Sequence, residues 1–297
     1  PEFAEMQVAV LRDPTDEDIS PPFVSPTNIP EHRLVPADRE ITVHDILTHT
    51  SGIASGGLGS AISEDAIMWL DTRTSLATNV PKYGDIILDF QPGDRWRYSP
   101  ATALDVIARI IEIESGLTFD EFVKRRIFEP LGMNDTWWNV PEEYQHRLID
   151  IVGSDIATPP NSAIYDTSHS TYFGASYGLK STAGDYLRFE QMLVNGGELF
   201  GNRLLKPQTI ELMASNKVGD LFNAMPGVSE QGFGYTVATT EESNERRSKG
   251  AFGWGGALGT RSWSDPAEEL TGVIMIQQPV PAVQRDFEDA VHQALID

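Results

Sequence analysis

The chain has 297 residues, with 22 Lys and Arg against 44 Asp and Glu, a formal net charge of −22 and a pI near 4.5. That length buries a sizeable core in one large domain or two interleaved ones, and 40% hydrophobic with 9% aromatic residues describes a globular chain rather than a disordered acidic tail. So negative a surface repels nucleic acid and anionic membranes, which excludes both as expected partners, and the lack of cysteine excludes disulfides, a thiolate nucleophile and thiolate metal sites.

The Lys-poor acidic balance suits a salt-adapted protein, and it suits ordinary cytosolic enzymes as well. No apolar run approaches the roughly 18–20 residues of a membrane span. No signal peptide is visible, so a cytoplasmic protein is expected. A periplasmic or secreted one is also compatible, because the chain starts at Pro1 rather than Met.

Residues 1–40 are proline-rich and acidic and read as a surface excursion. Thr42-Val43-His44-Asp45 opens a short helix, with Thr42 as cap and Asp45 at the third helical position, and the helix stops by Thr50-Ser51-Gly52. Residues 55–60 read as a flexible Gly/Ser loop. An apolar helical pattern resumes at Ile67, Met68 and Leu70.

A clearer helix follows Pro100, with Leu104, Ile107, Ala108 and Ile111 on one face and Gly116 at its end. Thr118-x-x-Glu121 has the capping-box pattern of the next helix, which Pro130-Leu131-Gly132 ends. Residues 137–172 read as a long irregular wall. Thr182-x-x-Asp185 starts a helix carrying Tyr186, Phe189 and Leu193 on one side, and Pro207 is placed to begin another. The last third reads as strands at 232–239, 250–254, 257–263 and 271–277. Val283, Phe287, Val291 and Leu295 then mark a closing amphipathic helix. The order predicts helices packed on an antiparallel sheet.

Gly174-Ala175-Ser176-Tyr177-Gly178 matches G-x-S-x-G, the nucleophile elbow of α/β-hydrolases. That elbow needs a helix directly behind the serine and a histidine later in the chain. The helix starts only near Thr182, and the one later histidine is His292, so a Gly-rich loop is the better reading. The six histidines are scattered. His44 and His49 are five apart, not the i, i+4 spacing of a helical zinc site, so no metal and no cofactor is expected. Gly253, Gly255, Gly256 and Gly259 lack the βαβ surroundings of a dinucleotide site. Trp137 and Trp138 read as packing residues.

Other motifs run in a family order. Ile41-Thr42-Val43-His44-Asp45-Ile46-Leu47-Thr48-His49-Thr50-Ser51-Gly52-Ile53 resembles the "TvrdLLtHTSGl" segment of the serine β-lactamase-like family. That family comprises class C β-lactamases, penicillin-binding proteins and family VIII carboxylesterases. Trp96-Arg97-Tyr98-Ser99 resembles its Y-x-N or Y-S-x segment, and Phe128-Glu129-Pro130-Leu131-Gly132-Met133 its "ifePLGM". Residues 177–186 resemble its "GLxSTAxDl" stretch. Phe252-Gly253-Trp254-Gly255-Gly256-Ala257-Leu258-Gly259-Thr260 resembles its third catalytic motif, with W-G-G in place of K-T-G as in esterases of the family.

The resemblance spans residues 1–297 and implies an α/β (α+β) fold of β-lactamase/transpeptidase type. In that fold an antiparallel sheet flanked by helices (216–297, with the C-terminal helix) accompanies a mostly helical region (41–215). The family nucleophile is the serine of S-x-x-K. No S-x-x-K occurs in these 297 residues. The expectation is therefore one catalytic domain that lacks its first strands and its nucleophile helix, with a segment carrying S-x-x-K supplied from elsewhere and the piece by itself inactive.

The family chemistry assigns roles. A serine attacks the carbonyl to form an acyl-enzyme that water hydrolyses. Tyr98 is the implied base, and a free phenol with a pKa near 10 needs a nearby cation for that role, the lysine of S-x-x-K. The backbone N–H of Ala257 is the implied oxyanion donor beside that of the absent serine. Tyr177 and Trp254 line the acyl site, and Gly255 and Gly256 let the strand pass close to a substrate. Pro100 stands where β-lactamases carry the Asn of Y-x-N, and Trp254 where they carry the Lys of K-T-G, so neither a drug's amide nor its carboxylate finds its usual partner. A small neutral ester with an apolar acyl group is the expected substrate. A β-lactamase, amidase or transacylase of the same family, or a non-catalytic binding protein on this scaffold, are the alternatives.

Overall fold

The computed structural model describes residues 1–12, 27–63, 74–99, 102–149 and 170–295. The expected helix at Ile67–Leu70 and the position of Pro100 lie outside them. Two compact units emerge, Pro1–Phe122 with His169–Gly178, and Val123–Ser168 with Leu179–Asp297.

The first unit begins with β1 (Gln7–Leu11) paired antiparallel to β2 (His32–Pro36). The Pro-rich stretch expected to be an excursion therefore contains a two-stranded ribbon. The reason lies at a distance: Leu88 exchanges backbone hydrogen bonds with Gln7 and Ala9, which seats Val8 in the core as a third strand would. α1 (Val43–Leu47) starts where expected, with a full capping box between Thr42 and Asp45.

The expected flexible loop at 55–60 is an ordered clamp leading into α2 (Leu58–Ile62). The Asp89 carboxylate accepts from the Ser55 N–H (2.8 Å) and hydroxyl (2.7 Å) and from the Ser60 N–H (2.7 Å) and hydroxyl (2.6 Å). Gly59 belongs there because a Cβ would sit 2.3 Å from the Ile87 carbonyl oxygen. α3 (Leu76–Asn79) runs into a 3₁₀ turn, and α4 (Ala103–Ser115) ends on Gly116 at φ 69°. On α4, Ala108 is buried while Leu104, Ile107 and Ile111 are half-buried. Ala103, Asp105 and Val106 face inward with Ala108, so the deepest face is turned from the one the apolar spacing implied. Ile46, Ile53, Leu76, Leu88, Val106 and Tyr172 share one hydrophobic core.

α5 (Phe119–Val123) continues through a π-helical turn at Lys124–Phe128 into α6 (Glu129–Leu131), and Gly132 at φ 67° ends the run where Pro130-Leu131-Gly132 predicted. In the second unit, α7 (Ala183–Val194) is capped by the Thr182 hydroxyl on the Asp185 N–H. A small hairpin, β3 (Glu198–Leu199) and β4 (Asn202–Arg203), leads to α8 (Pro207–Ala214) with Pro207 at its first turn.

The five-stranded antiparallel sheet then follows in chain order: β5 (Gln231–Phe233), β6 (Ala238–Thr240), β7 (Phe252–Gly255), β8 (Arg261–Asp265) and β9 (Leu270–Ile274). The expected single strand at 232–239 is two strands, because Thr236 adopts φ 66° and the Gly234 N–H bonds back to the Val237 carbonyl. The expected strand at 257–263 starts only at Arg261, since Gly259 donates to the Gly256 carbonyl in a turn. Alternation on β8 faces Ser264 to Glu190 of α7 (2.8 Å) and Trp263 to Phe287 of α9 (Pro281–Gln293), so the two helices cover opposite faces. Trp263 lies over Gly272 of β9, where a Cβ would stand 2.2 Å from the indole.

Candidate active site

Tyr98 lies in an extended segment held against the end of α1. α1 is five residues long, too short to persist on propensity, and tertiary bonds fix it. The buried Asp45 carboxylate accepts from both arms of the Arg39 guanidinium (2.7 and 2.8 Å) and from the Thr42 N–H (2.8 Å) and hydroxyl (2.6 Å). Burial alone would raise the Asp45 pKa, but these partners outweigh it and hold it at about 2.

His49 follows α1 at φ 57° and is 2% exposed. Its ring meets the Tyr98 ring edge to face at 4.8 Å, and Trp96 stacks on Tyr98 at 6.5 Å. The Tyr98 side chain is 39% exposed, so the phenol is packed on its faces and open to solvent. Burial holds the His49 pKa down at about 4, leaving the ring neutral at pH 7.

Tyr177 stands in the same unit, on the 170–178 segment. Its ring stacks on Tyr172 at 5.9 Å. Tyr172 donates its hydroxyl to the Asp105 carboxylate at 2.5 Å, and the Tyr83 and Tyr172 hydroxyls are bonded at 2.9 Å. The other Asp105 oxygen accepts the Ala175 N–H at 2.8 Å and the Ser176 N–H at 3.4 Å. Gly174 eases this approach, since a Cβ would lie tightly at 3.2 Å from Asp105 and 3.1 Å from the Tyr172 ring. Asp105 is fully buried, and burial raises its pKa to about 6 against the opposing hydrogen bonds. Burial, with the Asp105 charge second, raises the Tyr177 phenol well above the usual range, so Tyr177 stays neutral.

Trp254, Gly255, Gly256 and Ala257 lie together in the other unit, at the end of β7 and the turn into β8. The Trp254 ring packs edge-on against Phe233 at 5.3 Å and tilts against Phe222. Gly255, Gly256 and Ala257 are exposed. A Cβ on Gly256 would stand 2.2 Å from the Thr260 hydroxyl and force that side chain to turn, and the Gly256 N–H donates to the Thr260 carbonyl at 2.8 Å. A Cβ at Gly255 would make only an ordinary contact with the Thr260 carbonyl oxygen, at 3.5 Å. Among the described residues, no acceptor takes the Ala257 N–H, so this turn leaves a backbone donor turned to solvent.

Tyr98 and Tyr177 thus share one unit, and the W-G-G-A turn belongs to the other. Ser176 has no strand before it and α7 begins seven residues later, which is the loop geometry and not the elbow. His292 sits on α9 with its ring bonded to the Arg246 carbonyl. Sequence reasoning set aside two residues. His49 was grouped with scattered histidines, although it lies inside the resembling segment. Asp105 was passed over, although a carboxylate beside Ala103, Val106 and Ala108 on the inward face of α4 is itself a signal.

A model of the β-lactamase family, described as "Beta-lactamase", matches residues 17–295. Lovastatin esterase of Penicillium rubens is 27% identical over 83% of this chain and 66% of its own length. Esterase EstB of Burkholderia gladioli is 27% identical over 83% of this chain and 68% of its own. Simvastatin synthase (LovD) of Aspergillus terreus, as its LovD6 mutant, superposes with a TM-score of 0.73 at 20% identity, over 99% of this chain and 74% of that one. The chain spans about two thirds of the length of the curated relatives it matches.

Proposed function

Because the chain belongs to the β-lactamase family of serine hydrolases, whose relatives of this sequence include esterases and an acyltransferase, we propose that it is the larger part of a carboxylesterase acting on small esters with apolar acyl groups. The serine and lysine of S-x-x-K come, in this reading, from a segment outside these 297 residues. The observation that carries it is the turn at Trp254-Gly255-Gly256-Ala257. It offers an unaccepted backbone N–H for an oxyanion, and it has an indole where a β-lactamase presents an ammonium.

The steps follow from that assignment. The Tyr98 phenolate takes the serine proton as the serine oxygen bonds to the ester carbonyl. The oxyanion is held by the Ala257 N–H and the serine's own N–H. Collapse expels the alkoxide, which takes the proton back from Tyr98. Water then repeats the sequence on the acyl-enzyme and releases the acid. Trp254 and Tyr177 offer apolar surface to the acyl group. With a net charge of −22, a neutral ester suits the molecule better than an anionic lactam, and neither nucleic acid nor an anionic membrane is a partner. A cytoplasmic location remains the reading that goes with this composition.

The test is a series of p-nitrophenyl esters of rising acyl length beside a chromogenic cephalosporin, run on the protein with its upstream segment. Ester turnover that dominates, and that Tyr98→Phe lowers by about 10³-fold or more, supports the reading. Preferential cephalosporin turnover makes the protein a β-lactamase, and no turnover with retained ligand binding makes it a binding protein.

A further inference from the structure

His49 makes three separate attachments to the segment that carries Tyr98. Its carbonyl accepts the Arg97 N–H at 3.0 Å. Its ring Nδ1 faces the Ser99 N–H at 3.4 Å. The face or edge of the same ring meets the Tyr98 ring at 4.8 Å and 72°. The residues before and after Tyr98, and Tyr98 itself, are all referenced to one residue, Arg97 through its backbone carbonyl and Tyr98 and Ser99 through its ring.

Two of these attachments require the left-handed backbone at His49. With φ 57°, the chain leaves α1 so that the carbonyl and the ring address the same strand-like segment. Few side chains tolerate that conformation; Asn, Asp and His are the enriched ones. The third requirement is chemical. A backbone N–H donates only to a bare nitrogen, so Nδ1 carries no proton and the ring is the neutral Nε2–H tautomer. The 2% exposure of His49 favours that neutral form.

We propose that His49 is the positioning residue for Tyr98, fixing the backbone on both sides of the tyrosine and one edge of its ring as the neutral Nε2–H tautomer. It touches no substrate; it acts through Tyr98. The proposal rests on the esterase reading above only for the role of Tyr98. What it adds is why the residue between Thr48 and Thr50 has to be a histidine.

The isosteric logic selects the variants. The Oδ1 of Asn stands where His has Nδ1, and Asn tolerates positive φ, so His49→Asn keeps the backbone turn and the acceptor and loses the ring. His49→Phe keeps a ring and loses both the acceptor and the tolerance. In the protein with its upstream segment, p-nitrophenyl acetate turnover should fall in His49→Phe by about 100-fold in kcat with KM within about twofold, the effect of a misplaced catalytic group. His49→Asn should recover about tenfold of that loss. Adding His49→Phe to Tyr98→Phe should lower turnover no further. Wild-type kcat in His49→Phe, or an Asn variant no better than Phe, overturns the proposal. If Tyr98→Phe itself is fully active, the esterase role of Tyr98 fails instead. The two failures are thus separable. Where His49→Phe does not fold, ¹⁵N shifts of the His49 ring in the unsubstituted protein at neutral pH decide. A bare Nδ1 supports the assignment, and a protonated Nδ1 overturns it.

Discussion

Asp105 is the residue on which the Tyr177 segment depends, and its partners define what each substitution should do. Asp105→Ala leaves the Ala175 N–H without its acceptor in a dry interior, at about 1–3 kcal/mol for that orphaned group, and takes from the Tyr172 hydroxyl its carboxylate partner. Asp105→Asn keeps an oxygen for Ala175 and turns a donor toward Tyr172, whose hydroxyl already has Tyr83 to bond, so it should cost far less. The native carboxyl has its pKa raised to about 6 by burial. A folded state that binds a proton more tightly than the unfolded one loses stability as pH rises from about 4 to about 6. The Asn variant has no such loss. Its stability relative to the native protein should therefore improve by about 2–3 kcal/mol between pH 4 and pH 7 in urea melts, with the His49 titration cancelling in the difference. Ser176 lies on the loop that closes on Asp105, its backbone N–H directed to that carboxylate at 3.4 Å, and we predict that it is not the nucleophile. Ser176→Ala should leave ester turnover of the full protein within about threefold, whereas loss of a true nucleophile costs 10³-fold or more. At this scale the proposed roles of Tyr98, Ala257 and Trp254 rest on family-ordered motifs that are local in the sequence. It hid Asp105, because the residues that make it matter come 67 to 71 positions later.

Elements were legible where their signals were local. Thr42 with Asp45, and Thr182 with Asp185, mark helix starts three residues apart, and both appear as written. Each Asp does more than cap. Asp185 also accepts the Asp135 N–H at 2.6 Å and the Thr136 hydroxyl at 2.9 Å, and Asp45 anchors Arg39. The clamp at 55–60 was misread because its four donors converge on Asp89, about 30 residues away, so a Gly/Ser-rich string carried no sign of its acceptor. The β1–β2 ribbon was missed for the same reason, since Leu88 completes it. α1 gives this scale its prediction. Asp45→Ala removes the capping box and leaves Arg39 and Thr42 unpartnered on that side, which should cost about 2–4 kcal/mol. Because His49 leaves from the end of α1, ester turnover should fall more than stability alone explains when both are measured at a temperature where the variant is fully folded. A stability loss with unchanged kcat would show that α1 can fray without disturbing Tyr98.

Across the whole molecule the excess of 22 negative charges sets the response to salt. Acidic groups on the second unit are gathered into pairs with arginine. Glu288 is buried between Arg247 (3.1 Å) and Arg261 (2.8 Å), and Arg247 lies over the Trp263 ring at 5.3 Å. Arg246 is bonded to Asp289 on the same helix. Exposed pairs such as Arg12 with Glu31 or Lys249 with Glu242 contribute 0–1 kcal/mol each at best, and salt weakens them further. Their loss is outweighed by screening among the unpaired carboxylates, because twice as many acidic as basic residues leaves half of the carboxylates with no cation to meet. The Debye length falls from about 10 Å at 0.1 M to about 3 Å at 1 M, short enough to remove repulsion between neighbouring surface carboxylates while leaving the buried Glu288 pair nearly untouched. Raising sodium chloride from 0.1 to 1 M should therefore raise the Tm of the protein by several degrees. Glu288→Gln should lower the Tm by a similar amount at both salt concentrations, since it strands Arg247, whose charge burial already disfavours. A Tm that falls with salt would mean that the surface pairs outweigh the repulsion, and a Glu288→Gln effect that vanishes at 1 M would mean that this pair is solvent-screened despite its burial.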